Sequence, residues 1–358
     1  MKMHPAVIWN GLHFKWQKYP HRLSILGSRL FPIWSEDRKQ LLTYDHELSL
    51  KIGNWPPEHA EYFVPFTKLH AQQGFLGTGH AIVPISCPIE VGGQHKETIE
   101  VSVPNLVNYT KQNDIPAGNR VKVLLNGFRV QSENNVSGWH FGGLGIEISN
   151  TKLVSDNQLQ FDAEVYVRPA RSPEPLTHGN GAWKFHKDDC QYFIHFDFMV
   201  VAGAKEEVHF TESKVEMIEN TARKQYKGLL KATMPGKDNE RYEKAFSGIT
   251  GFKFKIDKQD SAILKQRTGR YIREMGFFNE HFKYDSASGV GEIAMNLAFS
   301  NLGDRVGYLA NKWKLETSVN LCMVQMNGLE NMEHGNVKGI TASNRKAVSQ
   351  TKPLWEAE

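Results

Sequence analysis

The sequence predicts a mainly β protein made of two antiparallel β-sandwich units of the jelly-roll kind, joined by a helical segment. Several short segments alternate between apolar and polar residues with a period of two, as half-buried strands do. Glycine, asparagine and proline separate these segments and supply the turns. Short motifs also recur 124 residues apart, and the 20 Phe, 11 Tyr and 8 Trp suit sheets better than helices.

The first segment, residues 1–75, is predicted to be an irregular aromatic-rich arm. It is rich in aromatic residues and prolines, but it keeps no steady period. We expect its aromatic side chains to pack on a larger body. An arm that binds a partner protein is the alternative.

Residues 76–205 are predicted to form the first sandwich. The clearest strand places Ile194, Phe196 and Phe198 on one face and His195 and Asp197 on the other. A glycine inside another strand, Gly127, indicates either a β-bulge or a close approach of another backbone. The predicted strands are 80–86, 96–103, 120–131, 143–148, 159–167 and 191–201.

Residues 206–248 are predicted to be a helical linker. Ser213 and Glu216 fit a capping box, and the Pro235-Gly236 pair ends the pattern. A shorter helix is predicted over 239–246. The apolar stripe with a period near 3.6 consists of Val215, Ile218, Ala222, Tyr226, Leu229 and Leu230.

Residues 249–330 are predicted to form the second β unit, with strands at 249–256, 289–300 and 313–326. The remaining residues, 331–358, lose periodicity. They are predicted to be a mobile tail.

Two pairs of short motifs suggest that the β units are copies of one ancestor. Gly127-Phe128 recurs as Gly251-Phe252, and the Met-Val pair at Met199 recurs at Met323, each 124 residues later. Either a duplication or chance explains these matches, because dipeptides recur easily in two β domains of one size.

A metal site is one hypothesis for the polar face of strand 191–201. His195 and Asp197 are two residues apart and therefore share a face. With His209 or His281 as a further ligand, they would match the two-histidine, one-carboxylate arrangement of iron sites. The alternative is an ordinary polar face of a sheet strand.

A sugar-binding platform is a second hypothesis. Trp139 and His140 lie in the glycine-rich bend 138–143, where exposed rings could stack on a sugar. The alternative is a buried tryptophan that anchors a sandwich core.

No cofactor is predicted. The glycine-rich run 74–79 leads into a β segment, whereas a dinucleotide-binding fingerprint needs a helix after it. The net charge of +4, without a run of Lys or Arg, argues against nucleic acid as a partner. The sparse cysteines, Cys87, Cys190 and Cys322, predict free thiols in a reducing compartment.

These observations favour a non-enzymatic structural or binding subunit of a larger protein assembly of the phage, viral or secretion-apparatus type. The expected partners are other protein subunits, including copies of this chain in a homo-oligomer. A carbohydrate-binding module and a metal-dependent enzyme are the alternatives.

No signal peptide or membrane span is predicted, because the apolar stretch 6–9 is short and no 18 apolar residues run together. The expected location is the cytoplasm, a virion or an export apparatus.

Overall fold

The fold is known from a computed structural model of the chain. It describes residues 6–9, 11–18, 23–34, 41–48, 63–71, 74–87, 93–103, 106–113, 120–132, 140–170, 190–204, 206–221, 225–236, 242–258, 272–301 and 313–338. These residues form eighteen strands and one helix, and their strand pairings are antiparallel. The prediction of a mainly β, antiparallel protein is therefore confirmed.

The described elements are strands, except for one helix between β7 and β8. The first half contains β1 (Ala6–Trp9), β2 (Gly11–Lys18), β3 (Leu23–Trp34), β4 (Leu41–Leu48), β5 (Phe63–Ala71), β6 (Phe75–Cys87), β7 (Gly93–Ser102), α1 (Leu106–Asn113), β8 (Val121–Ser132), β9 (His140–Leu153) and β10 (Gln158–Ala170). The second half contains β11 (Cys190–Ala202), β12 (Val208–Thr221), β13 (Gln225–Pro235), β14 (Lys244–Lys258), β15 (Ile272–Asp285), β16 (Val290–Asn301), β17 (Trp313–Met326) and β18 (Leu329–Lys338).

The described strands form three sheets. A nine-stranded sheet has the order β6-β11-β8-β14-β9-β10-β7, with β17 also paired to β14 and β12 to β17. A six-stranded sheet has the order β13-β16-β15-β2-β3-β4, and a three-stranded sheet has the order β1-β5-β18. Because β14 pairs with both β8 and β9, strands of the two predicted units share one sheet, and two separate sandwiches are not confirmed.

The apolar side chains form two clusters on opposite faces of the nine-stranded sheet. The larger one, here called the inner core, includes the mutually packed rings of Phe161, Phe196 and Phe198. Burying each such ring contributes about 1.5–3 kcal/mol to stability. The smaller one, here called the outer core, lies where β5 and β18 of the three-stranded sheet supply Leu69 and Leu329.

Strand β11 shows how the two cores share one element. Its predicted apolar face is confirmed, since Phe196 and Phe198 belong to the inner core. On the opposite face, His195 and Asp197 lie between the half-buried Phe193 and Met199, which enters the outer core. The polar part of this face is therefore shorter than the alternation predicts.

The helix predicted within 206–248 is wrong in the residues that the structure describes. Val208–Thr221 is a strand that pairs with β17 along its whole length, and Lys244 already begins β14. Ser213 therefore caps no helix. Ile218, assigned to the buried stripe, is 63% exposed. Since β-branched residues fit a strand at least as well as a helix, the long partner strand decides the outcome.

The irregular arm and the mobile tail are also corrected where the structure describes them. Residues of the predicted arm form β1 to β5, and the first eight residues of the predicted tail belong to β18. β2 pairs with β15, and β18 pairs with β5. These distant partners satisfy the backbone hydrogen bonds that the local sequence pattern does not predict.

Two groups of six strands pair in the same way. In the first group β6 pairs with β11 and β11 with β8, while β7 pairs with β10 and β10 with β9. In the second group β12 pairs with β17 and β17 with β14, while β13 pairs with β16 and β16 with β15. The order of pairing within each group is therefore identical.

The register repeats as well. Leu125 pairs with Phe198 just before a bulge in β8, and Ile249 pairs with Leu321 just before a bulge in β14. The bulged residues, Asn126 and Thr250, are both buried. A shift of 124 residues relates β8 to β14, but a shift of 123 relates β11 to β17. The structural counterpart of Met199 is thus Cys322, and the sequence match with Met323 is one residue out of register.

The two groups meet where equivalent residues touch. Leu125 of β8 pairs with its counterpart Ile249 of β14. The rings of Phe128 and its counterpart Phe252 lie 5.1 Å apart between centroids. Antiparallel pairing of equivalent residues is the geometry of a two-fold axis through the pair.

Candidate functional site

The proposed metal ligands lie on two separate strands. His195 and Asp197 share one face of β11, and His195 is 8% exposed. His209 lies near the start of β12, where its ring stacks on that of Tyr242 with 6.3 Å between centroids. Among the described residues, no group of three or more His, Cys, Asp and Glu side chains could hold a metal ion. The structure therefore does not bring these three residues together as a metal site.

The proposed sugar platform falls largely outside the described residues. Trp139 lies outside the described residues. The backbone of His140 begins β9 opposite Ala170. The side chains of His140 and His281 also lie outside the description. The sugar-binding hypothesis stays a prediction.

The strongest surface feature of the described residues is the outward row of β12, here called the β12 row: Glu212, Lys214, Glu216 and Ile218. These side chains alternate with the partly buried Val215 and Met217, which pack against the inner core. The Lys214 Nζ lies 2.6 Å from the Glu216 Oε1. Glu216 accepts this hydrogen bond and raises the pKa of Lys214 above its ordinary value.

Strand β12 is an edge strand in the described part of the chain. It pairs with β17 on one side, and no described strand pairs with its other side. An edge strand offers backbone N–H and C=O groups to a further strand, so proteins protect such edges or use them for association. Ile218 makes this edge partly apolar.

Strand β6 is the counterpart of β12 and is built differently. β6 also has one partner among the described strands, β11. Pro84 of β6 pairs with Phe193, and Ile218 of β12 pairs with Glu316, the counterpart of Phe193. Pro84 and Ile218 thus hold equivalent positions. Because proline has no N–H to donate, it protects the β6 edge, whereas the isoleucine at the same position of β12 keeps its N–H.

A polar contact joins α1 to the turn between β11 and β12. The Tyr109 hydroxyl donates to the Glu207 Oε2 at 2.6 Å, and the Ala204 N–H donates to the same oxygen at 3.1 Å. Burial, followed by this bond to the carboxylate, raises the pKa of Tyr109 well above its ordinary value. One carboxylate oxygen thus accepts two hydrogen bonds, and these bonds clamp α1 to the turn between β11 and β12.

A second polar contact lies beside β17. Gln325 is fully buried, and its Nε2 donates to the Tyr284 hydroxyl at 2.8 Å. The Tyr284 hydroxyl donates in turn to the Tyr242 carbonyl at 3.0 Å. The chain of hydrogen bonds links β17, β15 and the segment before β14, so it fixes strands rather than exposing a reactive group.

Sequence reasoning missed these contacts. The residues Tyr109 and Glu207 are 98 positions apart, and no motif connects them. Gln325 gave one signal, since it is a polar residue in the apolar run 321–326. The β12 row cannot be found from the sequence as long as its residues are predicted to be helical, because a helix does not place alternate residues on one face.

Comparisons of the chain with models of protein families, with curated proteins and with solved structures found no match. Within the described residues, no helix has the length and apolar character needed to cross a membrane.

Proposed function

We propose that the protein is a non-enzymatic structural subunit of a larger assembly and that it joins its neighbours through sheet edges. The observation that carries the proposal is the β12 edge. It extends over fourteen residues, has one strand partner among the described residues, and exposes Ile218. An edge of this length without a proline is suited to pairing with another chain.

The repeated pairing supports a finer proposal for the architecture: two jelly-roll-like units that arose by duplication. Each group pairs its first strand with its sixth and its second with its fifth, which is the nested order of a jelly roll. Each group has six strands rather than the eight of a full jelly roll. A repeated register with a bulge at the same place is harder to explain by chance than a repeated dipeptide.

The polar contacts of the described residues also favour a structural role. Glu207 and Gln325 are engaged in hydrogen bonds that tie one element to another. Buried polar contacts of this kind make a unique arrangement of strands more stable than its alternatives. A rigid subunit benefits from such contacts, because its surfaces must stay in a fixed relation.

The test is the mass of the full-length chain in solution. Multi-angle light scattering over a hundredfold range of protein concentration is expected to show a discrete oligomer that dissociates on dilution. A chain that stays monomeric over the whole range would contradict self-assembly. A continuous rise in mass without a plateau would indicate aggregation and would also contradict it.

A further inference from the structure

We infer that the partner of the β12 edge is the β12 edge of a second copy of this chain, in an antiparallel, two-fold symmetric pair centred on Val215. The inference rests on the proposed function and names its contact surface. It follows from the charges of the β12 row and from the contrast between β12 and β6.

The charges of the β12 row are complementary to themselves in one register. With Val215 opposite its own copy, Lys214 faces Glu216 of the second chain, and Glu216 faces Lys214. Each lysine then lies between two carboxylates, one on its own strand at 2.6 Å and one across the interface. Opposite charges on directly facing residues stabilise a strand pair.

Neighbouring registers lack this complementarity. A shift that centres the pair on Glu216 places two copies of Glu216 opposite each other. A shift that centres it on Lys214 opposes two lysines and also sets Glu212 against Glu216. Since like charges directly opposite each other destabilise a strand pair, these two registers are disfavoured. A register centred on Ser213 would place Lys214 opposite Glu212, but the Glu212 carboxylate is already bound by the Lys122 Nζ at 2.7 Å. The register centred on Val215 is therefore favoured.

The chosen register also gives Ile218 a defined environment. Ile218 faces Glu212 of the second chain, and the Glu212 carboxylate is already held by the Lys122 Nζ at 2.7 Å. The aliphatic stem of the glutamate can cover part of the isoleucine side chain. The equivalent edge, β6, has Pro84 at the position of Ile218, so it does not offer a second surface of the same kind.

Charge reversal of the full-length chain tests the pairing, with sedimentation velocity as the readout. Lys214→Glu is expected to weaken the dimer about tenfold or more, because it sets two glutamates against each other at both ends of the pair. The double variant Lys214→Glu/Glu216→Lys is expected to restore association, because it exchanges the signs and keeps the pattern. Lys283→Glu, an exposed substitution on β15, is the matched control and should leave the dimer unchanged.

A second pair of variants probes the apolar position without relying on Lys214. Ile218→Glu would face Glu212 and should weaken the dimer, whereas Ile218→Lys would face the same residue and should retain or strengthen it. The side chain is largely exposed, so both variants should keep the far-ultraviolet circular dichroism of the wild type.

The outcomes separate the two proposals. An oligomer that is insensitive to Lys214→Glu and to Ile218→Glu would overturn the β12 contact and leave self-assembly standing. Failure of the double variant to recover what Lys214→Glu loses would overturn the proposed register. A wild-type chain that is monomeric at all concentrations would overturn the proposed function as well.

Discussion

The contact between Leu124 and Gly248 gives the sharpest prediction about the fold. The two residues are counterparts in the repeated strand pairs, and they meet beside the Leu125–Ile249 bridge. A Cβ atom added to Gly248 would lie 2.6 Å from the Leu124 Cδ1 and 3.3 Å from its Cγ. The space near the proposed two-fold axis therefore holds one leucine and one glycine, and two leucines would collide.

The size of the effect follows from this geometry. Gly248→Leu should cost about 1–3 kcal/mol of unfolding free energy, as overpacking of a core usually does. Leu124→Gly should cost about 3–5 kcal/mol, because it opens a cavity and adds backbone entropy to the unfolded chain. Combining them places the leucine on the other strand. The double variant should then be about as stable as Leu124→Gly alone, whereas independent effects would make it less stable by the full cost of Gly248→Leu.

Equilibrium unfolding in urea, followed by circular dichroism, measures these free energies. The expected coupling between the two substitutions is about 1–3 kcal/mol in the stabilising direction, as for other residues in direct contact. Gly248→Leu combined with Leu159→Gly is the matched control and should be additive, because Leu159 lies on β10, which does not pair with β14. Additive free energies in the Leu124/Gly248 pair would refute the proposed packing at the axis.

Three further predictions concern single side chains. Tyr109→Phe should lower the unfolding free energy by about 1–3 kcal/mol in the same urea assay, because Glu207 loses a donor; an unchanged value would contradict the clamp. Burial raises the pKa of Cys322 to about 12, so its thiol should resist iodoacetamide in native protein and react in urea, as peptide mass spectrometry would show. Hydrogen bonds from Asn150, Lys96 and Thr98 lower the pKa of Asp162 to about 2. Its stabilising contribution should thus be present above its ordinary pKa and be lost as the pH falls towards 2, and Asp162→Asn should flatten that part of the stability curve.

The strands that the sequence predicts best are those with one clear apolar face. In β10 and β11, residues such as Phe161 and Phe196 alternate with polar neighbours, and the strand follows from that period alone. Gly127 interrupts an apolar run and indicates a bulge or a close approach; the structure has the bulge one residue earlier, at Asn126. These features are local, so no knowledge of the partner strand is needed.

The features that the sequence does not predict depend on distant partners. Val215 and Ile218 are compatible with a helix or a strand, and only the pairing with β17 decides between them. The bond between Tyr109 and Glu207 joins residues that have no local relation. The internal repeat was partly visible, but Met199 and Cys322 show why it stayed ambiguous. The shift changes by one residue between strands, which no single offset in the sequence can match.

The difference between the equivalent strands β6 and β12 has a simple physical interpretation. If both edges were open, a chain with two equivalent edges could add copies at either side and grow without limit. Pro84 protects the β6 edge, whereas the β12 edge has no second partner among the described strands. The β12 contact by itself is therefore expected to give a closed pair of chains, because an isologous contact uses the same surface on both copies.

Hydrogen–deuterium exchange of β12 at low and high protein concentration is the most direct test of this account. Peptides that cover residues 212–218 should become more protected as concentration rises, because a second strand would accept their backbone hydrogen bonds, whereas peptides that cover residues 78–85 of β6 should exchange at the same rate throughout. Exchange of β12 that does not depend on concentration, in a chain shown to associate, would contradict the account.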